Sequence, residues 1–323
     1  MPDDSSILAA AAFHDGEIAL QRAAGVAERL ARIGDQVIRG HIPEQHREFF
    51  TLLPFVIVGS VDASAQPIAS LLAAPAGFAF SPDPQALRLD ALPFEGDPLE
   101  QRLVPGAALG LLGIQPHTRR RNRVNGRVLE RDAAGFTLRV EQSFGNCPKY
   151  ITPREAFYVG TAWRGGTREA TRLEPNQRAW LSAADTFFLA SAHPAAGQAP
   201  AQNAEARAHG VDVSHRGGAP GFVHFIDEGS FIIPDYRGNN FYNSLGNLRL
   251  NPRAGLLFID PTRGHLLQIE ATARALEGTH PLAGRDGTGR IVQFDVSGVR
   301  AFDAASPLRF RAVDVENPVT PPA

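Results

Sequence analysis

The chain has 323 residues, and its 32 basic and 34 acidic side chains leave a formal charge of −2. That balance speaks against a nucleic-acid binder, which carries a basic excess. A single cysteine, Cys147, excludes an internal disulfide and any paired-cysteine metal site, while 31 Gly and 25 Pro suit a β-rich body better than a helical bundle.

The N-terminus, Met1-Pro2-Asp3-Asp4, is acidic and lacks the basic flank of a secretory signal. No apolar run approaches a membrane span; Ala107 to Ile114 is far too short. The expected setting is the cytoplasm, without membrane or nucleic-acid partners.

Residues 1–52 form the N-terminal helical segment. A helix is expected over Glu17 to Arg32, with Asp15 as N-cap and Ala19, Ala23, Val26, Leu30 and Ile33 along one stripe. Pro43 opens a second helix towards Thr51. His41 and His46 read as surface residues of this segment. From Leu53 the pattern turns to strands. Phe55 to Val61 is apolar and β-branched, Asp62 to Ala65 turns it, and Pro67 to Leu72 continues. Ala107 to Ile114, Arg121 to Leu129 and Phe136 to Val140 follow. This first half ends near residue 150, residues 151–185 form a linker, and residues 186–312 make a second half before a tail at 313–323. Gly197 to Gly210 reads as a flexible loop within that second half.

The two halves share an order of elements. LPFVIVGSVDASA parallels DTFFLASAHPAAG, SLLAAPAGFAFSPD parallels SHRGGAPGFVHFID, and VPGAALGLLGI parallels NPRAGLLFI. The recurrence predicts an internal duplication, with one chain folding as a pseudo-dimer.

The chemistry gathers between Val211 and Asp260. Strand alternation turns Asp212, Ser214 and Arg216 one way and His215 the other. Arg237, Gly238 and Asn239 precede a short helical pattern in which Asn240, Asn243 and Asn247 fall at i, i+3, i+7 and share a face. A helix start with flanking guanidiniums suits a phosphate. The plainer alternative makes these residues surface ion pairs and turn caps. In the first half the matching stretches are Ser70-Leu71-Leu72 and Phe94-Glu95-Gly96-Asp97-Pro98. They lack the guanidinium and carry carboxylates, so the phosphate site is expected only in the second half. Arg119, Arg121 and Arg123 would share a face of an extended strand, either as a solvated edge or reaching an anion across the interface. No dinucleotide fingerprint, phosphate-binding loop, nucleophile elbow or metal-ligand spacing is present.

The runs Ser214-His215-Arg216-Gly217-Gly218, Pro220-Gly221-Phe222, Gly238-Asn239-Asn240 and Leu245-Gly246-Asn247-Leu248, with Phe144 to Tyr150, resemble the pyridoxamine 5'-phosphate oxidase superfamily. The resemblance covers most of residues 43–312. It implies a mainly β fold: a duplicated, FMN-binding split β-barrel behind the helical segment. It implies FMN held by Ser214, His215, Arg216, Gly217, Arg237, Gly238, Asn239, Asn240, Asn243, Asn247 and Lys149. The candidate proton donors are His215, Lys149 and Tyr236. The implied function is an FMN-dependent oxidoreductase with a small-molecule substrate, an NAD(P)H or separate-reductase electron donor, and a homodimeric assembly. A non-catalytic flavin carrier or sensor is the alternative. A haem-binding barrel is a third reading, which needs His215, His224 or His193 as axial ligand.

Overall fold

The computed structural model describes residues 12–160, 165–198, 207–277 and 289–313. Three helices open it: α1 (Asp15–Ala23), α2 (Ala27–Val37) and α3 (Glu44–Thr51). The single long helix expected from the apolar stripe is two. Gly25, at φ +68°, breaks it, because the left-handed backbone there cannot continue a helix. The N-cap is His14 rather than Asp15; its ring accepts from the Gly16 amide at 3.1 Å while Glu17 reaches back to the His14 amide at 2.8 Å.

The first half supplies β1 (Phe55–Val61), β2 (Pro67–Ala73), β3 (Ala79–Phe80), β4 (Ala86–Leu89), α4 (Leu99–Arg102), β5 (Ala108–Gln115), β6 (Arg120–Arg131) and β7 (Phe136–Gly145). The linker carries β8 (Arg154–Tyr158), β9 (Thr167–Ala170) and α5 (Pro175–Ala183). The second half then repeats the first. It contains β10 (Thr186–Ala192), β11 (Val211–Gly217), β12 (His224–Phe225), β13 (Ser230–Pro234), α6 (Asn243–Leu250), β14 (Arg253–Ile259), β15 (Leu266–Glu277) and β16 (Arg290–Phe302). A last strand, β17 (Leu308–Ala312), pairs with β8. The loop expected over Gly197 to Gly210 falls partly, and the tail at 313–323 almost wholly, outside the described residues.

Strand order exposes the duplication. The first sheet runs β2-β1-β5-β6-β7-β4-β3 and the second β11-β10-β14-β15-β16-β13-β12, the same path element for element, with β9 added at β16. All the pairings along both paths are antiparallel. Each sheet curls around its own core. Val56, Val58, Leu111, Phe136 and Leu138 fill the first, and Phe187, Leu189, Phe231, Phe258 and Phe294 the second. A third core lies between them, built from Phe55, Ile57, Leu71, Phe188, Val213 and Leu257. Strands such as β1 are therefore buried on both faces, which is why they read as unbroken apolar runs rather than alternating ones.

The halves approach through matched glycines. A Cβ on Gly110 of β5 would lie 2.3 Å from the Val211 carbonyl oxygen of β11. A Cβ on Gly255 of β14 would lie 2.5 Å from the Pro67 carbonyl oxygen of β2. Both obstacles are backbone, so neither can step aside. Gly110→Val and Gly255→Val should each lower the urea midpoint by the equivalent of at least about 1–3 kcal/mol. Gly229→Ala, whose nearest neighbour would be 3.7 Å away, should not. Unchanged midpoints for the first two would contradict this packing.

Candidate functional site

The site grows from three elements that the fold brings together. β11 pairs with β10 so that Ser214 lies opposite Leu189 and Arg216 opposite Phe187. The start of α6 stands beside it. Tyr242 precedes this helix in the left-handed region, at φ 63°, and no side chain caps it. The first amides of α6, with the positive end of its dipole, are thus left to an outside acceptor. Ser214 and Ser244 meet hydroxyl to hydroxyl at 2.5 Å. The third element comes from the other half: β6 delivers Arg121 and Arg123 to the same cavity.

That cavity measures about 790 Å³. Arg121, Arg123, Arg216, Arg237 and Arg290 line it, against the carboxylates of Asp235 and Glu277. Arg123 donates to Asp212 at 2.9 Å, and Arg290 to Asp235 at 2.9 Å. Arg216 reaches Asp235 only at 3.7 Å, and its buried Nε has no hydrogen-bond partner. Arg121 donates to the Cys147 carbonyl at 2.7 Å and takes part in no ion pair among the described residues. Burial, then Arg123 and Arg216, push Arg121 down to about 10. Burial also lowers Arg216, with Asp235 opposing and Arg123 and Arg290 adding to the fall. Guanidiniums that resist one another's charge are relieved by an anion among them.

The residues expected to bind phosphate divide. Ser214, Arg216, Arg237, Gly238, Asn239, Asn240 and Asn243 line the cavity. Asn240 does not share a helical face with the other two: it sits at φ 64°, before α6 begins. Asn239 accepts from the Phe241 amide at 3.1 Å. Asn243 gives its amide to Glu17 of α1, and Asn247 is buried off the cavity, donating to Asp212 at 2.9 Å. Both asparagines thus hold the frame. Gly217, Lys149 and Tyr150 line a small adjoining space of about 80 Å³, and Tyr236 borders both. Tyr150 stacks on Tyr236 at 4.6 Å. His215 turns from Ser214 and Arg216; burial, then Arg121, Arg216 and Arg154, hold it neutral. Of the arginine run, Arg119 lies before β6 at φ 56°, leaving Arg121 and Arg123 as the pair that reaches the site.

Several contributors were not among the expected site residues. Ser244 carried a faint signal, as a hydroxyl in the first turn of a short helix. Asp235 stands in the Pro234-Asp235 run that is part of the family resemblance, but its pairing with Arg290 carried no signal, because only the β13–β16 pairing joins them. The N-terminal segment also takes part: Ala23, Ala24 and Val26 form part of the wall. Gly16 of α1 crosses Gly246 of α6 so closely that a Cβ on Gly16 would lie 2.3 Å from the Gly246 carbonyl oxygen. Glu17 is thereby sealed in, and burial, then Asp212, push its carboxyl well above the usual range.

The same place in the first half is plugged. Asp97, just before the Pro98 N-cap of α4, accepts from the Leu99 amide at 2.9 Å, from Ser70 at 2.7 Å and from Gln268 at 3.0 Å. Gln268 stands opposite Leu257 in β14, as Arg123 stands opposite Leu112 in β5. Across the approximate twofold, amide and carboxylate thus replace guanidinium and empty acceptor position. Asp97, more than Glu95, is what closes this site: Glu95 is exposed at the surface.

Two split barrels with an arginine-lined cavity between them define the class of protein. Residues 173–287 match the family model Pyridoxamine 5'-phosphate oxidase, the half that carries the uncapped helix. That segment, about a third of the chain, is similar to the pyridoxamine 5'-phosphate oxidase family of split-barrel proteins. No curated protein matches the chain. Among solved structures, a variant of HupZ from Group A Streptococcus is 12% identical over 40% of this chain and 98% of its own, with a TM-score of 0.30. A putative pyridoxamine 5'-phosphate oxidase from Lactobacillus delbrueckii is 13% identical over 40% of this chain and 93% of its own, at 0.28. HutZ, the haem storage protein of Vibrio cholerae, is 16% identical over 42% and 99%, at 0.26. Among the described residues no helix is long and apolar enough to cross a membrane, and no three His, Cys, Asp or Glu residues are grouped to hold a metal ion.

Burial pushes Asp97 up from 3.8 to about 6, against the pull of its hydrogen bonds. The folded state therefore holds this proton more tightly than the unfolded chain. Its stabilisation is full below pH 3.8 and is lost as pH rises through about 6. The melting temperature of the wild type minus that of Asp97→Asn should accordingly fall between acid and neutral pH. A difference that stays flat, or rises, would contradict the assignment.

Proposed function

We propose that the chain binds FMN in the cationic cavity and acts as an oxidoreductase on a small molecule. One contrast carries the reading: the start of α6 opens into a cavity lined by arginines, while the carboxylate of Asp97 occupies the corresponding place before α4. In this reading the phosphate takes the amides at the start of α6, the hydroxyls of Ser214 and Ser244, and the guanidiniums of Arg216 and Arg121. Arg237, next to Gly238 at the rim, adds positive charge, and the flexible glycine lets the ligand approach the backbone.

A bound flavin would supply hydride and electron transfer. The protein's part is orientation and charge. Asp212 fixes Arg123, so its cation is held in place rather than swinging into solvent. Tyr236, stacked on Tyr150, bounds the cavity near Lys149 and offers a hydroxyl for proton transfer. His215, kept neutral, has both a donor and an acceptor nitrogen available. NAD(P)H or a separate reductase is the electron source in this proposal.

The purified protein should be yellow. Replacing both Arg121 and Arg216 with Ala should weaken FMN binding by at least about 100-fold, since each removes a charge-assisted hydrogen bond. Riboflavin, which lacks the phosphate, should change by less than about threefold under the same electrostatic argument. Flavin fluorescence titration reads both. An intense Soret band would instead identify a haem protein, and equal losses for FMN and riboflavin would remove the phosphate assignment. Bleaching by NADPH without added reductase would distinguish an autonomous enzyme from a carrier.

A further inference from the structure

A second cavity lies on the other side of β11, where the two halves and the linker meet. Its volume is about 470 Å³, inside the roughly 300–1,000 Å³ common for small-molecule sites. Its character is the reverse of the first. Phe55 and Ile114 from the first half, Phe188 and Ile259 from the second, Trp180 of α5 and Phe310 of β17 make its walls. Four charged residues complete the lining: Arg154, paired with Asp185, and Asp260 and Arg263 at the mouth. No phosphate-binding helix start opens into it.

One polar group in this wall lacks a complete set of partners. His215 is 6% exposed, and its Nδ1 is buried with no hydrogen-bond partner. Its Nε2 has only a long contact, 3.4 Å, to the hydroxyl of Thr186, another wall residue. The ring packs edge-on to Phe188 at 5.8 Å. The long Nε2 contact, beside Thr186 in the cavity wall, is weak enough for a ligand to supply a better partner.

We propose that this cavity is a binding site for an uncharged, largely aromatic small molecule bearing one hydroxyl or carbonyl group, which hydrogen-bonds to His215. The aromatic walls take the rings, and the imidazole selects the polar substituent. The site stands whether or not a flavin fills the neighbouring cavity. His215 borders both, so ligand in one cavity would be sensed at the edge of the other.

The probe is N-phenyl-1-naphthylamine, an uncharged dye whose emission rises in apolar surroundings, added to the full chain. Emission should saturate at one dye per chain and survive excess inorganic phosphate. Ala184→Phe, which fills the cavity from its wall, should abolish it. In competition, 2-naphthol should displace the dye about tenfold better than naphthalene, the worth of one buried hydrogen bond. That preference should vanish in His215→Phe while naphthalene still competes, which also shows that the variant is folded. Displacement of the dye by phosphate, or full binding in Ala184→Phe, would overturn the site. A naphthol preference that persists in His215→Phe would overturn the role of the imidazole. Failure here leaves the riboflavin comparison untouched, so the two readings fall separately.

Discussion

Asp212 is the constraint on which the arrangement turns. Its two oxygens accept from Arg123 and Asn125 of the first half and from Asn247 of α6. Three elements distant in sequence are thus pinned to one buried carboxylate. Removing one partner from such a group strands a charge out of water, at a cost of about 3–5 kcal/mol. The tie positions α6 against β11 and turns β6 inward. With Arg123 held in a close ion pair, Arg121 and Arg216 remain as the less compensated cations beside the cavity.

The approximate twofold shows how the two halves differ at equivalent places. Both halves bring a serine of the second strand, a short helix and a polar residue of the opposite half to one point. In the second half these are Ser214, α6 and Arg123. In the first they are Ser70, α4 and Gln268. The position of Asp212 on β11 corresponds to Ile68 on β2, by their shared pairing with Ser191 and Ser60. So the first half lacks the carboxylate that would hold an arginine, and supplies one instead at the helix start. The difference lies in a handful of side chains on two equivalent backbones.

Much of this was legible in the residues. Turn punctuation and β-branched runs located most strands, and the recurring order of elements foretold the common sheet path. The donors Ser214, Arg216 and Arg237 were visible because they are close together along the chain. What could not be read was set by distance. Asn240 and Asn247 looked alike on a helical wheel, but one precedes the helix and the other is consumed by Asp212. Gly25 broke a helix that its apolar stripe extended, since periodicity records which face is buried and not where the backbone must turn. The pairing of Arg290 with Asp235 depends on neighbouring strands far apart in the sequence. Nothing local distinguishes His215 as a residue shared by two cavities.

Fusion of the repeats has a genetic consequence. When two identical chains associate, each codon is expressed on both sides of the axis, so a substitution that plugs one site plugs its twin. Here the two sides are encoded separately. An aspartate can be placed before α4 without a matching change before α6, and a residue such as Arg121 can diverge from its counterpart in the opposite barrel. Asymmetry of this kind is open to a tandem gene and closed to a homomeric pair.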